Sequence, residues 1–313
     1  MVAIAGLVFI SLGCEITGGK DDGGGISLPS PVYPQPYAEP SVSPDGSKLL
    51  FIRNKITRID GLGGFTIDPD SSGIWLAESD GSNMKLLIQS QNLGTPSFSP
   101  DMEWILFEGG AQIYKVPFAA DSVNMDSLVQ LSFEGRNFFP DWSPDGEWIA
   151  YSNTIGDTVG IWISPSNGSI EKHYFTFGAE PNWLSNGDEI LFGNQGLWIE
   201  KIDHSNKKLI FSEPKKVIRS IESNKKGTKI TFSSQESEEK GLLQVFAIDF
   251  DGSDFELLSI NGGVDPTWNQ DDKIIYVQFS PHCFSKVNGT IWIMNADGSE
   301  KKQLTFNYGL ELQ

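Results

Sequence analysis

From residue 40 onward, short apolar runs alternate with polar turns at a regular beat. Six of these runs are Lys48–Ile52, Trp104–Phe107, Trp148–Tyr151, Glu189–Phe192, Lys229–Phe232 and Lys273–Tyr276. Each is followed by a second run with an aromatic or β-branched centre, as in Ile74-Trp75-Leu76, Ile161-Trp162-Ile163, Leu197-Trp198-Ile199 and Ile291-Trp292-Ile293. Runs this short, bounded by turn residues and rich in Ile, Val, Phe and Trp, predict strands rather than helices. Asp-Gly-Ser turns at 80, 251 and 297 then lead to outer strands such as Lys85–Ile88 and Gln303–Thr305.

The turn ahead of each first run repeats. It reads Pro40-Ser-Val-Ser-Pro-Asp-Gly46, Pro96-Ser-Phe-Ser-Pro-Asp101 and Pro140-Asp-Trp-Ser-Pro-Asp-Gly146. Pro181-Asn-Trp-Leu-Ser-Asn-Gly187 is a weaker copy, and the segments starting at Ser220 and Pro266 are eroded ones. In Ser-Pro-Asp-Gly the proline presets φ, the aspartate bonds its own downstream backbone, and the glycine closes the hairpin. These aspartates are therefore turn components. The recurrent tryptophans 75, 142, 162, 183, 198, 268 and 292 are read as packing between neighbouring sheets.

A unit of four strands recurring roughly every 45 residues is the signature of a β-propeller blade. The pattern resembles the TolB-type propeller repeat, a relative of WD-type repeats, over residues 40–305. That resemblance implies an all-β, six-bladed ring. The resemblance does not extend to the α/β domain that precedes the ring in TolB, so a role in the Tol system is not expected to carry over. The segment Leu304–Gln313 opens like Leu131–Pro140, which leads into blade three. The chain thus stops where a seventh repeat would begin. Either blade six closes on blade one, which is the expectation, or the chain is a fragment.

Composition narrows the function. The formal charge of the 313-residue chain is −18, which disfavours nucleic acid and anionic lipid as partners. Two cysteines make no disulfide framework or zinc site, and three histidines leave little for metal or acid–base chemistry.

Residues 2–13 form an apolar run that is too short to span a membrane but long enough for a signal-peptide core. Ser11-Leu12-Gly13-Cys14 resembles a bacterial lipoprotein cleavage site, which implies lipidation at Cys14; a plain secretory signal or a first core strand are the alternatives. The division expected is a signal segment 1–14, a Gly- and Pro-rich tether 15–38, and a propeller 39–313. Glu15 stands where an aspartate would mark inner-membrane retention in lipoprotein sorting. The resemblance therefore implies an anchored protein of the outer membrane or periplasm, or otherwise a secreted one.

In a four-stranded meander the Ser-Pro-Asp-Gly and Asp-Gly-Ser turns share one face. The other face carries the second-to-third connections and the crossovers between blades, where functional residues concentrate. The longest connection, Arg53–Ser72, is expected to be a solvated loop. Arg136-Asn137-Phe138-Phe139, at the crossover into blade three, suits a protein contact, although one phenylalanine could pack inward. Glu39, Glu180 and Asp265 precede the motif prolines and should ring the channel mouth. They could hold a divalent cation or a basic peptide tail, or form a solvated rim.

No Gly-x-Ser-x-Gly elbow, His-Glu-x-x-His or phosphate-cradling loop occurs. His282-Cys283 are adjacent, and adjacent side chains point apart. The reading is a monomeric, non-catalytic module of the cell envelope that binds a protein or peptide, with no cofactor and no bound metal. The alternatives are a lyase-like carbohydrate-active propeller, or the propeller part of a larger peptidase.

Overall fold

The computed structural model describes residues 36–59, 65–156, 158–212, 218–235, 243–260, 262–279 and 289–305. Cys14, His282 and Cys283 lie outside them. The described chain forms six antiparallel sheets in sequence order, five of four strands and one of five. Blade one comprises Tyr37–Val42, Lys48–Ile59, Phe65–Glu78 and Lys85–Gln89, each strand paired with the next. The innermost strands of the other blades are Leu93–Phe98, Asn137–Trp142, Ala179–Trp183, Ile218–Ser223 and Val264–Trp268. The first strand begins at Tyr37, two residues inside the stretch expected to be tether.

The core is divided among the joints between blades. Each of six apolar clusters sits between two neighbouring sheets, because a single sheet cannot cover both of its own apolar faces. Trp142, Trp183 and Trp268 are buried in three of these joints, as expected of packing tryptophans. The ring closes where Leu49, Phe51 and Ala77 of blade one meet Ile275, Ile291 and Leu304 of blade six. Among the described residues no strand is shared across that joint.

The repeated turns are built as their chemistry requires. Ser143 Oγ donates to Asp145 Oδ1 at 2.5 Å and accepts from the Trp148 amide at 2.9 Å, while the Glu147 amide donates to Asp145 Oδ1 at 3.0 Å. The Ser43 and Ser99 turns repeat the arrangement. In the eroded copies Asn224 and Asn269 replace the serine, their Oδ1 accepting from the Lys229 and Lys273 amides.

Within the segment Arg53–Ser72, expected to be a solvated loop, residues 53–59 and 65–72 are strand instead. The second and third strands of blade one run past the blade edge as a paired extension, with Lys55 opposite Asp68 and Ile56 opposite Ile67. Alternating β-branched residues in Ile56-Thr57 and Thr66-Ile67 favour this ladder over a free loop.

Candidate functional site

The innermost strands surround a central channel with a cavity of about 690 Å³. Every one of them carries a bulge near its start, because the pairing register slips by one residue there. The slip falls at Glu39, Thr95, Phe139, Glu180, Ser220 and Asp265, all held at φ between 42° and 55°. Such backbone is strained in a residue with a side chain, and a bulge takes an amide out of the ladder.

A neighbouring blade answers each of these six amides. Thr95 N donates to Glu39 Oε2 at 2.6 Å, and Phe139 N to Glu108 Oε2 at 3.1 Å. Glu180 N donates to Ser152 Oγ at 2.8 Å, and Ser220 N to the Glu180 carboxylate. Asp265 N donates to Ser233 Oγ at 3.2 Å, and Glu39 N to Asp265 Oδ2 at 3.1 Å. The six bonds form a closed circuit that includes the joint from blade six to blade one.

Glu39, Glu180 and Asp265 therefore do sit at equivalent positions along the channel, but each also latches the next blade. Glu180 is buried. Burial raises its carboxyl above the ordinary range while the Arg219 guanidinium, 3.2 Å away, pulls the other way. Asp265 Oδ1 further accepts from Ser220 Oγ at 2.9 Å. Among the described residues no group of three or more His, Cys, Asp or Glu is arranged to hold a metal ion.

Two residues further along, a second tier lines the channel: Ser41, Ser97, Asp141, Asn182, Glu222 and Thr267. Asp141 Oδ2 accepts from the Trp183 amide at 2.6 Å. Glu222 Oε1 accepts from Thr267 Oγ1 at 3.0 Å. Burial among channel-lining atoms pushes the Asp141 carboxyl up to about 7 and the Glu222 carboxyl up to about 8. The Asp141 charge adds to the second of these shifts. Sequence reasoning passed over both residues. Asp141 lay inside a motif read as turn hardware, and Glu222 lay inside an eroded copy of it.

The segment Arg136–Phe139 is only partly a surface. Asn137 is buried and belongs to the innermost strand of blade three. Its Nδ2 donates to Gln112 Oε1 at 3.0 Å and its Oδ1 accepts from Asn153 at 3.0 Å. An amide so engaged cannot contact a partner, and Asn137 leaves the proposed contact. Arg136 is exposed, with its guanidinium 5.6 Å from the Phe138 ring centre. Phe138 is half-buried, and Phe139 lines the channel. The same crossover exposes Phe133, and the next one exposes Phe177, each 57% accessible. Their shared setting, an apolar residue and a hydroxyl residue before the phenylalanine, was legible in the sequence.

No family model matches the chain. It is 28% identical over 159 residues to an uncharacterized protein of Agrobacterium fabrum, a match covering 48% of either chain. The match thus spans about half the length of that curated relative. Among solved structures it is similar to a TolB-like protein of Agrobacterium tumefaciens, with a TM-score of 0.59 and 20% identity over 71% of this chain and 84% of that one. It is also similar to TolB of Acinetobacter baumannii, with a TM-score of 0.63 and 16% identity over 82% of this chain and 63% of that one. An oligogalacturonate lyase in complex with manganese shares the fold at a TM-score of 0.52 and 12% identity, over 87% of this chain and 77% of that one. The fold is the six-bladed propeller of the TolB type, a scaffold used by binding proteins and enzymes alike.

Proposed function

We propose that this chain is a non-catalytic binding module of the cell envelope that takes a cationic peptide segment into its central channel. The supporting observation is the lining. Glu39, Asp141, Glu180, Glu222 and Asp265 all border one cavity of about 690 Å³, and Lys225 is the lysine among them. Low-dielectric walls strengthen the field of those that are ionised. Asp141 and Glu222, held at about 7 and about 8, are partly protonated near neutral pH, and Glu180 is already paired with Arg219. An incoming ammonium or guanidinium would pair with Asp141 and Glu222, favouring the charged form of both. Arg136 and Phe138 at the crossover rim extend the contact outside the channel.

The channel is tested by calorimetric titration of the full chain with a lysine- and arginine-rich decapeptide and with a glutamate-rich one. The cationic peptide binds, more weakly as salt rises. The Asp141→Asn/Glu222→Gln variant binds it at least ~10-fold less tightly. Equal affinity in that variant, or for the acidic peptide, removes the reading.

The envelope placement rests on the apolar run before Cys14 and the TolB-type fold; no helix among the described residues is long and apolar enough to cross a membrane. Lipid anchoring at Cys14 is part of the same proposal. Cys14→Ser should move the protein from the membrane fraction to the soluble one, and unchanged membrane association would refute the anchor.

A further inference from the structure

The joint between blades two and three holds a charge that the repeat does not require. On the third strands, the residues opposite Leu50, Ala150, Leu191, Thr231 and Ile275 are Leu76, Ile163, Ile199, Ala247 and Ile293. In blade two the residue at this place, opposite Leu106, is Lys115. Aliphatic side chains fill the position in five blades, so packing does not call for a lysine.

Lys115 is 7% exposed. Its ammonium stands 4.0 Å from the Trp104 ring centre and 5.9 Å from that of Trp142. No carboxylate of the described residues forms an ion pair with it. Asp101 Oδ1 is engaged by Ser99 Oγ at 2.5 Å and by the Glu103 amide at 3.0 Å. Burial holds the Lys115 ammonium below the ordinary lysine range, with the Asp101 charge opposing that shift. A buried cation without a direct ion pair is costly, and here only the more distant Asp101 charge and the two tryptophan rings offset that cost.

A second donor on the same cleft is also unanswered. Trp142 is buried, and its Nε1–H has no hydrogen-bond partner. At the equivalent places Trp183 Nε1 donates to Gly187 O at 3.0 Å and Trp268 Nε1 to Glu222 O at 3.4 Å. Lys115 and Trp142 both border a cavity of about 530 Å³ with Trp104, Trp148, Ser166 and Asn167. That volume is within the range of small-molecule sites.

We infer that this cleft binds a small organic carboxylate, its oxygens held by the Lys115 ammonium and the Trp142 indole N–H. Two donors without acceptors select an anion. Asp101, Asp145 and Glu147 also line the cleft and weigh against anions in proportion to their charge, so phosphate is disfavoured most and a singly charged, planar group least. The tryptophan rings offer apolar wall to the body of the acid. The same group could arrive on a free acid or at the C-terminus of a peptide.

The test is titration of the full chain, by calorimetry and tryptophan fluorescence, with benzoate, with uncharged benzamide, and with a short peptide bearing a free or an amidated C-terminus. Benzoate is expected to bind at least about tenfold more tightly than benzamide, and about tenfold less tightly to Lys115→Met. A preference for the free over the amidated peptide, in excess of benzoate binding, would identify a peptide as the source. Glu222→Gln, on blade five, should leave benzoate affinity unchanged, which separates this cleft from the channel. Lys115→Met is expected to melt at or above the wild-type temperature. Should that variant fail to fold, the benzoate-to-benzamide ratio in the wild type decides. Equal binding of benzoate and benzamide, undiminished binding by a folded Lys115→Met, or a lower melting temperature in it would overturn the assignment.

Discussion

At the scale of single residues, Asp141 and Glu222 make the fold sensitive to pH in a direction opposite to most carboxylates. Their folded-state values, about 7 and about 8, stand above the ordinary values of 3.8 and 4.5. A raised carboxyl favours the fold while it stays protonated. Its contribution is complete below the unfolded value and is lost as pH rises through the folded one. The melting temperature should therefore fall by a few degrees between about pH 5 and about pH 8.5. In Asp141→Asn/Glu222→Gln that slope should flatten, as scanning calorimetry across this range would measure. The asparagine is a fair replacement, because Asn182 already fills the same place in blade four and accepts from the Ser223 amide at 3.0 Å. A slope unchanged in the double variant would assign the pH dependence to other groups.

At the scale of elements, the Asp-Gly-Ser turns also seat one blade against the outer strand of another. Gly81 of blade one has φ +84°, and a Cβ there would stand 2.3 Å from Leu304 O of blade six. Gly81→Ala combines a left-handed backbone with a clash against main chain, and should cost about 2 kcal/mol or more. Gly187→Ala is the matched control. Its φ is +78° with nothing within 4 Å, so only the conformational share, about 1 kcal/mol, should be lost. Urea unfolding midpoints of the two variants check the difference. Equal losses would mean that the turn of blade one does not bear on the closing joint.

At the scale of the whole molecule, the ring was legible because turn chemistry is local. Serine, proline, aspartate and glycine act within a few residues, so Pro140–Gly146 declares its hairpin without reference to the rest of the chain. The paired extension from Arg53 to Ser72 was not legible, since its polar and glycine-rich composition reads as loop until the partner strand is seen. Glu39, Glu180 and Asp265 fall at equivalent repeat positions, which their phase in the sequence already indicated. Their latching role depends on a left-handed backbone and on an amide from another blade, which no local pattern records. Lys115 is intermediate: its break from an aliphatic column is written in the sequence, but its lack of a direct ion pair is not.

The closing joint has a mechanical consequence. Five of the six contacts between blades are spanned by a covalent crossover, and the contact between blades six and one is held by apolar packing with bonds such as Tyr37 N to Gly289 O at 3.1 Å. Among the described residues no hydrogen-bonded ladder crosses that joint. Separating blades six and one would therefore cost, among those residues, apolar contacts and isolated hydrogen bonds rather than a strand pairing.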